Sequence, residues 1–313
     1  MQSQQLGATD VAVSRLAYGC MSYLKTWSPA EVDATRIANA HACVEAALDC
    51  GITLFDHADI YCQTECERVF GDWLRDHPQH RDSIQIATKC GVVFADQPSP
   101  GDPPRYDLSA DYIRRSVDAS LQLLATDRID LYQLHRPDLL LDAGEIAGVL
   151  RELRDAGKVL HFGLSNFRSE TFDLVADACA AEGVRLESHQ ILLHALDPTH
   201  MDDGLLDQCQ ARKATPLAYG PVGRGKLGDG VDAGGDEQVH RVQAVLDEFA
   251  DTYDTIRSNI ALAFLLKHPA GIVPILGTSK PDRITAAAKA VDVDLSHTDW
   301  YRVHLAARGT KLP

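Results

Sequence analysis

Short, continuous apolar runs recur along the chain, and each gives way to a longer stretch with helical periodicity. A first run ending near Gly19 and others at 53–55, 83–89, 129–134, 159–163, 185–189, 215–219 and 272–276 predict eight strands. Several of these runs, 272–276 above all, are apolar at successive positions and not at alternate ones, as parallel strands buried on both faces require. The stretches between them predict helices at 29–49, 65–76, 109–125, 143–156, 169–181, 201–210, 238–253, 258–267, 281–290 and 297–308. Ser28-Pro-Ala-Glu31 reads as a capping box with proline at the first helical position, and Gly51 stops the helix that follows. Ser109 and Asp142 stand where helix N-caps belong. The first residues, broken by Gly7 and Asp10, predict a hairpin.

Strict alternation of strand and helix selects a parallel α/β fold. An open, doubly wound sheet is the alternative. Eight strand–helix units in 313 residues, with no change of composition along the chain, fit a closed (β/α)8 TIM barrel better. The expected protein is a single domain over 1–313, with an N-terminal hairpin and extra C-terminal helices. Two connections are long: 90–108, with Pro98, Pro100, Pro103 and Pro104, and 220–238, which contains the glycine-rich stretch 228–236. Both belong on the carboxyl face of the barrel, as a lid or substrate loop. The stretch 228–236 reads equally well as a disordered connection.

Composition narrows the function. Hydrophobic residues make up 45% and charged residues 24%, a globular balance, and the net charge of −15 argues against nucleic acid or an anionic membrane as partner. No apolar run reaches the roughly 18 residues of a membrane span, and the first residues lack the pattern of a signal peptide, so a cytoplasmic location is expected. The 8 cysteines are scattered through the chain, which suits reduced thiols. Cys62 and Cys66 form the one close pair, and without a second Cys/His pair at ligand spacing no metal is expected.

Three consecutive strands end in polar residues: Asp56, Lys89 and His135. Strand ends are neighbours on one face of a barrel, so an acid, an amine and an imidazole converge there, with Tyr61 just beyond Asp56. A nearby ammonium lowers the pKa of a phenol, and Lys89 would supply that charge to Tyr61. Asp56 would keep Lys89 protonated and in place, while His135 could donate a hydrogen bond to a substrate oxygen. Singly, each residue has an ordinary structural alternative: a turn cap, a solvated lysine or a core histidine.

Asp56, Tyr61, Lys89 and His135 lie in Phe-Asp-His-Ala-Asp-Ile-Tyr, Ile-Ala-Thr-Lys-Cys-Gly and Leu-Tyr-Gln-Leu-His-Arg-Pro-Asp. In these settings they resemble the Asp-Tyr-Lys-His tetrad of the aldo-keto reductase superfamily. The resemblance covers nearly the whole chain. It includes His161-Phe-Gly-Leu-Ser-Asn-Phe167, Gln190, Leu217 through Leu227, and Pro274 through Ile284, and it looks closest to a bacterial oxidoreductase subgroup. It implies a reductase that binds NADPH, with NADH possible, in extended form across the barrel mouth, and that acts on a small carbonyl substrate. No Gly-x-Gly-x-x-Gly stands in the first strand–helix turn, in keeping with that mode of binding.

By the same resemblance, Tyr219 would stack on the nicotinamide, and Ser165, Asn166 and Gln190 would hydrogen-bond its carboxamide. Gly19, Cys20 and Met21 would lie near the nicotinamide ribose. Gly220, Pro221, Val222, Gly223, Gly225 and Leu227 belong to the loop that would clasp the pyrophosphate. Gly277, Thr278, Ser279, Lys280 and Arg283 form a small cationic site suited to a ribose 2′-phosphate.

Two departures from the family pattern bear on cofactor affinity: Ala286-Ala287 where many members have Glu-Asn, and Gly220 in place of a serine. Tyr23, Trp27, His57 and Phe94 are candidates for the substrate pocket, and their character favours a nonpolar carbonyl over a phosphorylated sugar. The family implies hydride transfer from nicotinamide C4 with Tyr61 as proton donor. Alternatives are a nucleotide-sensing subunit without significant turnover, or the same residues working as an alcohol or sugar dehydrogenase. A monomer or weak homo-oligomer is expected.

Overall fold

Eight parallel strands close into a barrel in the computed structural model, which describes residues 1–312. The barrel strands are Ala17–Gly19, Leu54–Asp56, Gln85–Cys90, Ile129–Leu134, Val159–Ser165, Leu186–Leu192, Thr215–Tyr219 and Val273–Leu276. Each pairs with the next in chain order, and the eighth closes on the first through Ile275 opposite Ala17 and Leu276 opposite Tyr18. All six residues of Ile129–Leu134 are buried, Asp130 and Gln133 among them, as a parallel strand covered on both faces requires.

Alternation along the strands divides the barrel interior into two levels. Ala17, Leu54, Ala87, Leu131, Leu217 and Val273 form one buried cluster, with Leu6 and Val13 of the N-terminal hairpin beneath them. Side chains two residues further along a strand face the same side. Those positions hold Gly19, Asp56, Lys89, Gln133, Tyr219 and Ile275. The interior therefore changes from an apolar floor to a mostly polar mouth. The hairpin pairs Ser3–Gln5 with Ala12–Ser14 and closes the floor. The Gly7 N–H donates to Thr215 Oγ1 at 2.7 Å and the Ala8 N–H to Glu187 Oε2 at 2.8 Å.

The opposite parity packs outward. Phe55 and Ile86 join Phe70 and Trp73 of helix Glu65–Asp76, and Tyr132 and Phe162 join Ile113, Leu150 and Phe172 of the next three helices. Burial of each such side chain contributes about 1.5–3 kcal/mol, so the helical shell holds the strand ends, and with them the site, in fixed register.

Several expected boundaries change for identifiable reasons. The helix expected over 29–49 divides into a 3-10 turn, Pro29–Glu31, and an α-helix, Ala34–Asp49. Ser28 makes no side-chain cap; Glu31 instead accepts from the Thr26 hydroxyl at 2.8 Å, and Asp33 caps the helix by accepting from the Arg36 N–H. The helix expected over 201–210 breaks at Gly204 into Thr199–Asp202 and Leu205–Arg212. The strand begun at 85 is preceded by a 3-10 segment, Pro78–Ser83, and the sixth strand runs on to Leu192.

The two long connections are both structured. Within 90–108, Val92–Val93 pairs with Arg105–Tyr106 in a small ribbon. The loop after the seventh strand is braced from behind: Gln243 Nε2 donates to the Lys226 and Val231 carbonyls, and the Arg257 guanidinium to those of Gly228 and Val231. Asp229 accepts from both the Ser258 N–H and its hydroxyl.

Candidate active site

The mouth of the barrel holds a buried ion pair. Lys89 is fully buried; its Nζ donates to Asp56 Oδ1 and to the His57 carbonyl oxygen, each at 2.6 Å. The same Asp56 oxygen accepts from Gln190 Nε2 at 2.7 Å, and Gln190 Nε2 also reaches Gln133 Oε1 at 3.2 Å. Charges this far from water are tolerated only when paired and hydrogen-bonded. Asp56 supplies that pairing.

Tyr61 lies over this pair. Its ring centroid is 5.1 Å from Lys89 Nζ, and its ring meets His135 edge-on at 6.1 Å and Trp27 at 6.3 Å. The turn that carries it is unusual. Cys62, Gln63 and Thr64 have φ of 48°, 50° and 75°, three successive left-handed residues without a glycine, before helix Glu65–Asp76 begins. Such strain persists where surrounding structure enforces it, and here it fixes the approach of Tyr61.

The electrostatics differ from the expectation. Burial above all, then the Asp56 carboxylate and the neighbouring Cys66 and Cys20 thiols, push the Tyr61 phenol well above its ordinary pKa. These effects outweigh Lys89, whose ammonium is paired with Asp56 at 2.6 Å. Tyr61 is thus a phenol holding its proton at neutral pH. Burial, Lys89 and Arg136 push the His135 imidazole well below its usual range, so it is neutral, and its Nδ1 is buried without a partner.

A second polar group adjoins the tetrad. Asn166, at φ 63°, donates from Nδ2 to the His135 carbonyl at 3.2 Å and to Ser165 Oγ at 2.8 Å, while its Oδ1 accepts from the Tyr219 hydroxyl at 2.8 Å. Asn166, Ser165 and Tyr219 are thereby locked together beside Tyr61 and His135.

A cavity of about 820 Å³ runs from this group across the barrel mouth. Asp56, Tyr61 and His135 open into it, as do Ser165, Asn166, Gln190 and Tyr219. Gly19 and Met21 line it from the first strand, and Gly220, Pro221, Val222 and Gly225 from the seventh-strand loop. Gly277, Thr278, Ser279, Lys280 and Arg283 line its far part. The expected cofactor contacts Cys20, Gly223 and Leu227 do not line it. Cys20 and Leu227 are fully buried in the surrounding core, and Gly223 packs against Leu196.

Of the substrate candidates, only Trp27 lines the cavity. Tyr23 is buried, with its hydroxyl donated to the Cys66 carbonyl. Phe94 is exposed away from the cavity, in the loop of the small ribbon. His57 follows inward-facing Asp56 and so faces outward, its ring 4.6 Å from that of Phe70. Burial and Lys89 push its pKa down to about 3. With these three elsewhere, the preference for a nonpolar carbonyl loses most of its basis. Near the tetrad the cavity is lined instead by Arg136 and Ile60, adjacent in sequence to His135 and Tyr61, and by Trp27 against the Tyr61 ring.

Four cations line the cavity: Arg136, Arg224, Lys280 and Arg283. None of them has an ion-pair partner among the described residues, in a chain of net charge −15. Arg136 and Arg224 were not among the residues expected for the site, although each is adjacent in sequence to one that was: His135 for Arg136, and Gly223 and Gly225 for Arg224. Ideal Cβ atoms built on Gly225 and Gly277 would meet nothing within 4 Å, so the cavity reaches the backbone at both. A long polyanion fits such a channel.

The family model described as "Aldo/keto reductase family" matches residues 15–307. The chain belongs to the aldo/keto reductase family. It is accordingly an oxidoreductase dependent on a nicotinamide cofactor. It is 38% identical over 319 residues to a 6-dehydroglucose reductase of Novosphingobium aromaticivorans, covering 99% of this chain and 97% of that protein. A 6-dehydroglucose reductase of Agrobacterium fabrum is 35% identical over 311 residues, with 99% of each chain covered. The uncharacterized oxidoreductase YcsN of Bacillus subtilis is 34% identical over 315 residues and the full length of both. No helix of the described residues is long and apolar enough to cross a membrane.

Proposed function

We propose that this reductase uses NADPH to convert a polar aldehyde or ketone to its alcohol, with Tyr61 as the proton donor. When bound, the reduced nicotinamide supplies a hydride to the carbonyl carbon. Tyr61 gives its proton to the carbonyl oxygen. The observation that carries this role is the buried phenol, kept protonated by its surroundings and stationed over the Lys89–Asp56 pair. As the proton leaves, Lys89 is the one cation close enough to stabilise the phenolate. Neutral His135, protonated on Nε2, donates to the same oxygen and orients it.

The residues around the cavity suit NADPH. Ser165 retains a hydroxyl proton to donate to a carboxamide, and Gln190, with Nε2 engaged by Asp56, offers its Oε1. Tyr219 is held in place through Asn166. Lys280 and Arg283 answer a ribose 2′-phosphate, the basis for preferring NADPH to NADH.

On the substrate side, Arg136, next to His135 and lining the cavity, favours a carbonyl compound with hydroxyl or anionic substituents. Two relatives that reduce 6-dehydroglucose point in the same direction. A sugar aldehyde is therefore the proposed class.

Tyr61→Phe tests the assignment. Rapid mixing of the NADPH complex with a hydroxyaldehyde such as glyceraldehyde should show oxidation slowed by about 10²–10⁴-fold, with nucleotide affinity changed little. Undiminished turnover would reject Tyr61 as proton donor. An unmodified protein that binds NADPH but never oxidises it would instead favour a nucleotide sensor.

A further inference from the structure

Beneath the mouth, a chain of hydrogen bonds crosses the barrel interior from Asp56 to the sixth strand. Gln190 Nε2 donates to Asp56 Oδ1 at 2.7 Å and to Gln133 Oε1 at 3.2 Å, and Gln133 Nε2 donates to Ser188 Oγ at 3.2 Å. The direction of the chain is set at one end. An ionised carboxylate only accepts, so the Gln190 atom that faces Asp56 has to be nitrogen. The second N–H of that nitrogen then needs an acceptor, which the Gln133 side-chain carbonyl supplies. With both N–H groups engaged, Gln190 has only its Oε1 left for a ligand, and Gln190 lines the cavity.

The neighbouring strands are shaped to hold Gln133 in this state. Gln133, Gly163 and Ser188 stand side by side on three adjacent barrel strands. A Cβ built on Gly163 would lie 2.1 Å from Ser188 Oγ, so the glycine is what lets the serine reach across the middle strand to Gln133. Gln133 and Ser188 are fully buried, and neither lines the cavity. Packing alone does not call for an amide here. Leu131, two residues earlier on the same face of the strand, sits in the apolar floor, and a buried amide is desolvated at a cost that only its hydrogen bonds offset.

We infer that Gln133, backed by Ser188, is a positioning residue that fixes the Gln190 amide with its Oε1 toward the cofactor carboxamide, a role that rests on the cofactor reading above. So oriented, Gln190 accepts an N–H from the nicotinamide amide and has none to donate. Without Gln133, Gln190 keeps a single bond to Asp56, and its oxygen is free to turn from the cavity.

Reduced 3-acetylpyridine adenine dinucleotide phosphate differs from NADPH only in carrying a methyl group where the carboxamide has its NH2, so it cannot make this bond. Dissociation constants for the two nucleotides, read from quenching of protein fluorescence in binary complexes, are compared for the unmodified protein, Gln133→Met and Ser188→Ala. The unmodified protein should prefer NADPH. Gln133→Met should raise the constant for NADPH about three- to tenfold and leave that for the analogue nearly unchanged, and Ser188→Ala should move the ratio the same way by less. Equal rises for both nucleotides would overturn the assignment, since a loosened barrel weakens both alike, and no rise for either would overturn it as well. Should Gln133→Met fail to fold, the ratio for Ser188→Ala decides by the same criteria. An unmodified protein that bound neither nucleotide would instead bring down the cofactor reading itself.

Discussion

Lys89 Nζ is 2.6 Å from Asp56 Oδ1 but 5.1 Å from the centre of the Tyr61 ring. The lysine is held first by the acid, and the tyrosine meets an ion pair in which the positive charge is already matched. In the proposed mechanism Tyr61 in this state is the proton donor, with the ammonium in reserve for the charge that develops when the proton departs.

Asp56→Asn should therefore harm the fold as well as catalysis. It leaves a fully buried ammonium without its counter-charge, a situation that costs about 3–5 kcal/mol. Urea unfolding followed by circular dichroism measures it. Asp56→Asn combined with Lys89→Met should regain most of the stability and none of the turnover. If Asp56→Asn alone were as stable as the unmodified protein, Lys89 would have to be neutral in the variant.

The 2′-phosphate role proposed for Arg283 makes a different prediction. Its guanidinium lines the cavity and has no ion-pair partner among the described residues. Arg283→Ala should raise the KM for NADPH about tenfold and that for NADH by less than about twofold. Steady-state kinetics with both cofactors decide it, since equal effects would remove the 2′-phosphate from this site.

Much of the site was legible because the barrel converts position in a strand into position in space. Asp56, Lys89 and His135 each stand at or just past the end of an expected strand, and strand ends share one face. The same rule accounts for His57, expected in the substrate pocket: the residue after inward-facing Asp56 faces outward, and its ring packs on Phe70. Position alone was silent on charge compensation. That Lys89 would be matched by Asp56, and Asp56 further engaged by Gln190, depends on distances among three separate strands.

Arg136 and Arg224 escaped notice for a related reason. An arginine is informative when it lacks a partner, and partners come from distant segments. Arg257 and Arg212, equally plain in the sequence, are bound to Asp247 and to Asp173 and Asp177. Local patterns failed where a neighbour competed for a group. Ser28 through Glu31 had the form of a capping box, but the Glu31 carboxylate is taken by Thr26 and the helix starts three residues later, after Asp33.

A pH-dependent term in stability lies just behind the tetrad. Glu67 is fully buried on helix Glu65–Asp76; one carboxyl oxygen accepts from the Thr88 hydroxyl at 2.5 Å and the other has no partner. Burial pushes its pKa up from 4.5 to about 7, against smaller opposing effects of Thr88, Ser120 and Lys89. The folded protein therefore holds this proton where the unfolded chain has released it. The contribution is fully present below about pH 4.5 and is lost as pH rises through about 7, a change of roughly 3 kcal/mol. His57 runs the other way, since its depressed pKa withdraws stability as pH falls from 6.5 toward 3, but it is present in both proteins compared and cancels. Glu67→Gln keeps an oxygen for Thr88 and has no charge to bury. It also relieves Asp59, whose pKa is raised by burial and then by Glu67. The variant should gain on the unmodified protein steadily between pH 4.5 and 8 in urea unfolding midpoints. A difference that stayed constant across that range would mean that Glu67 does not titrate there.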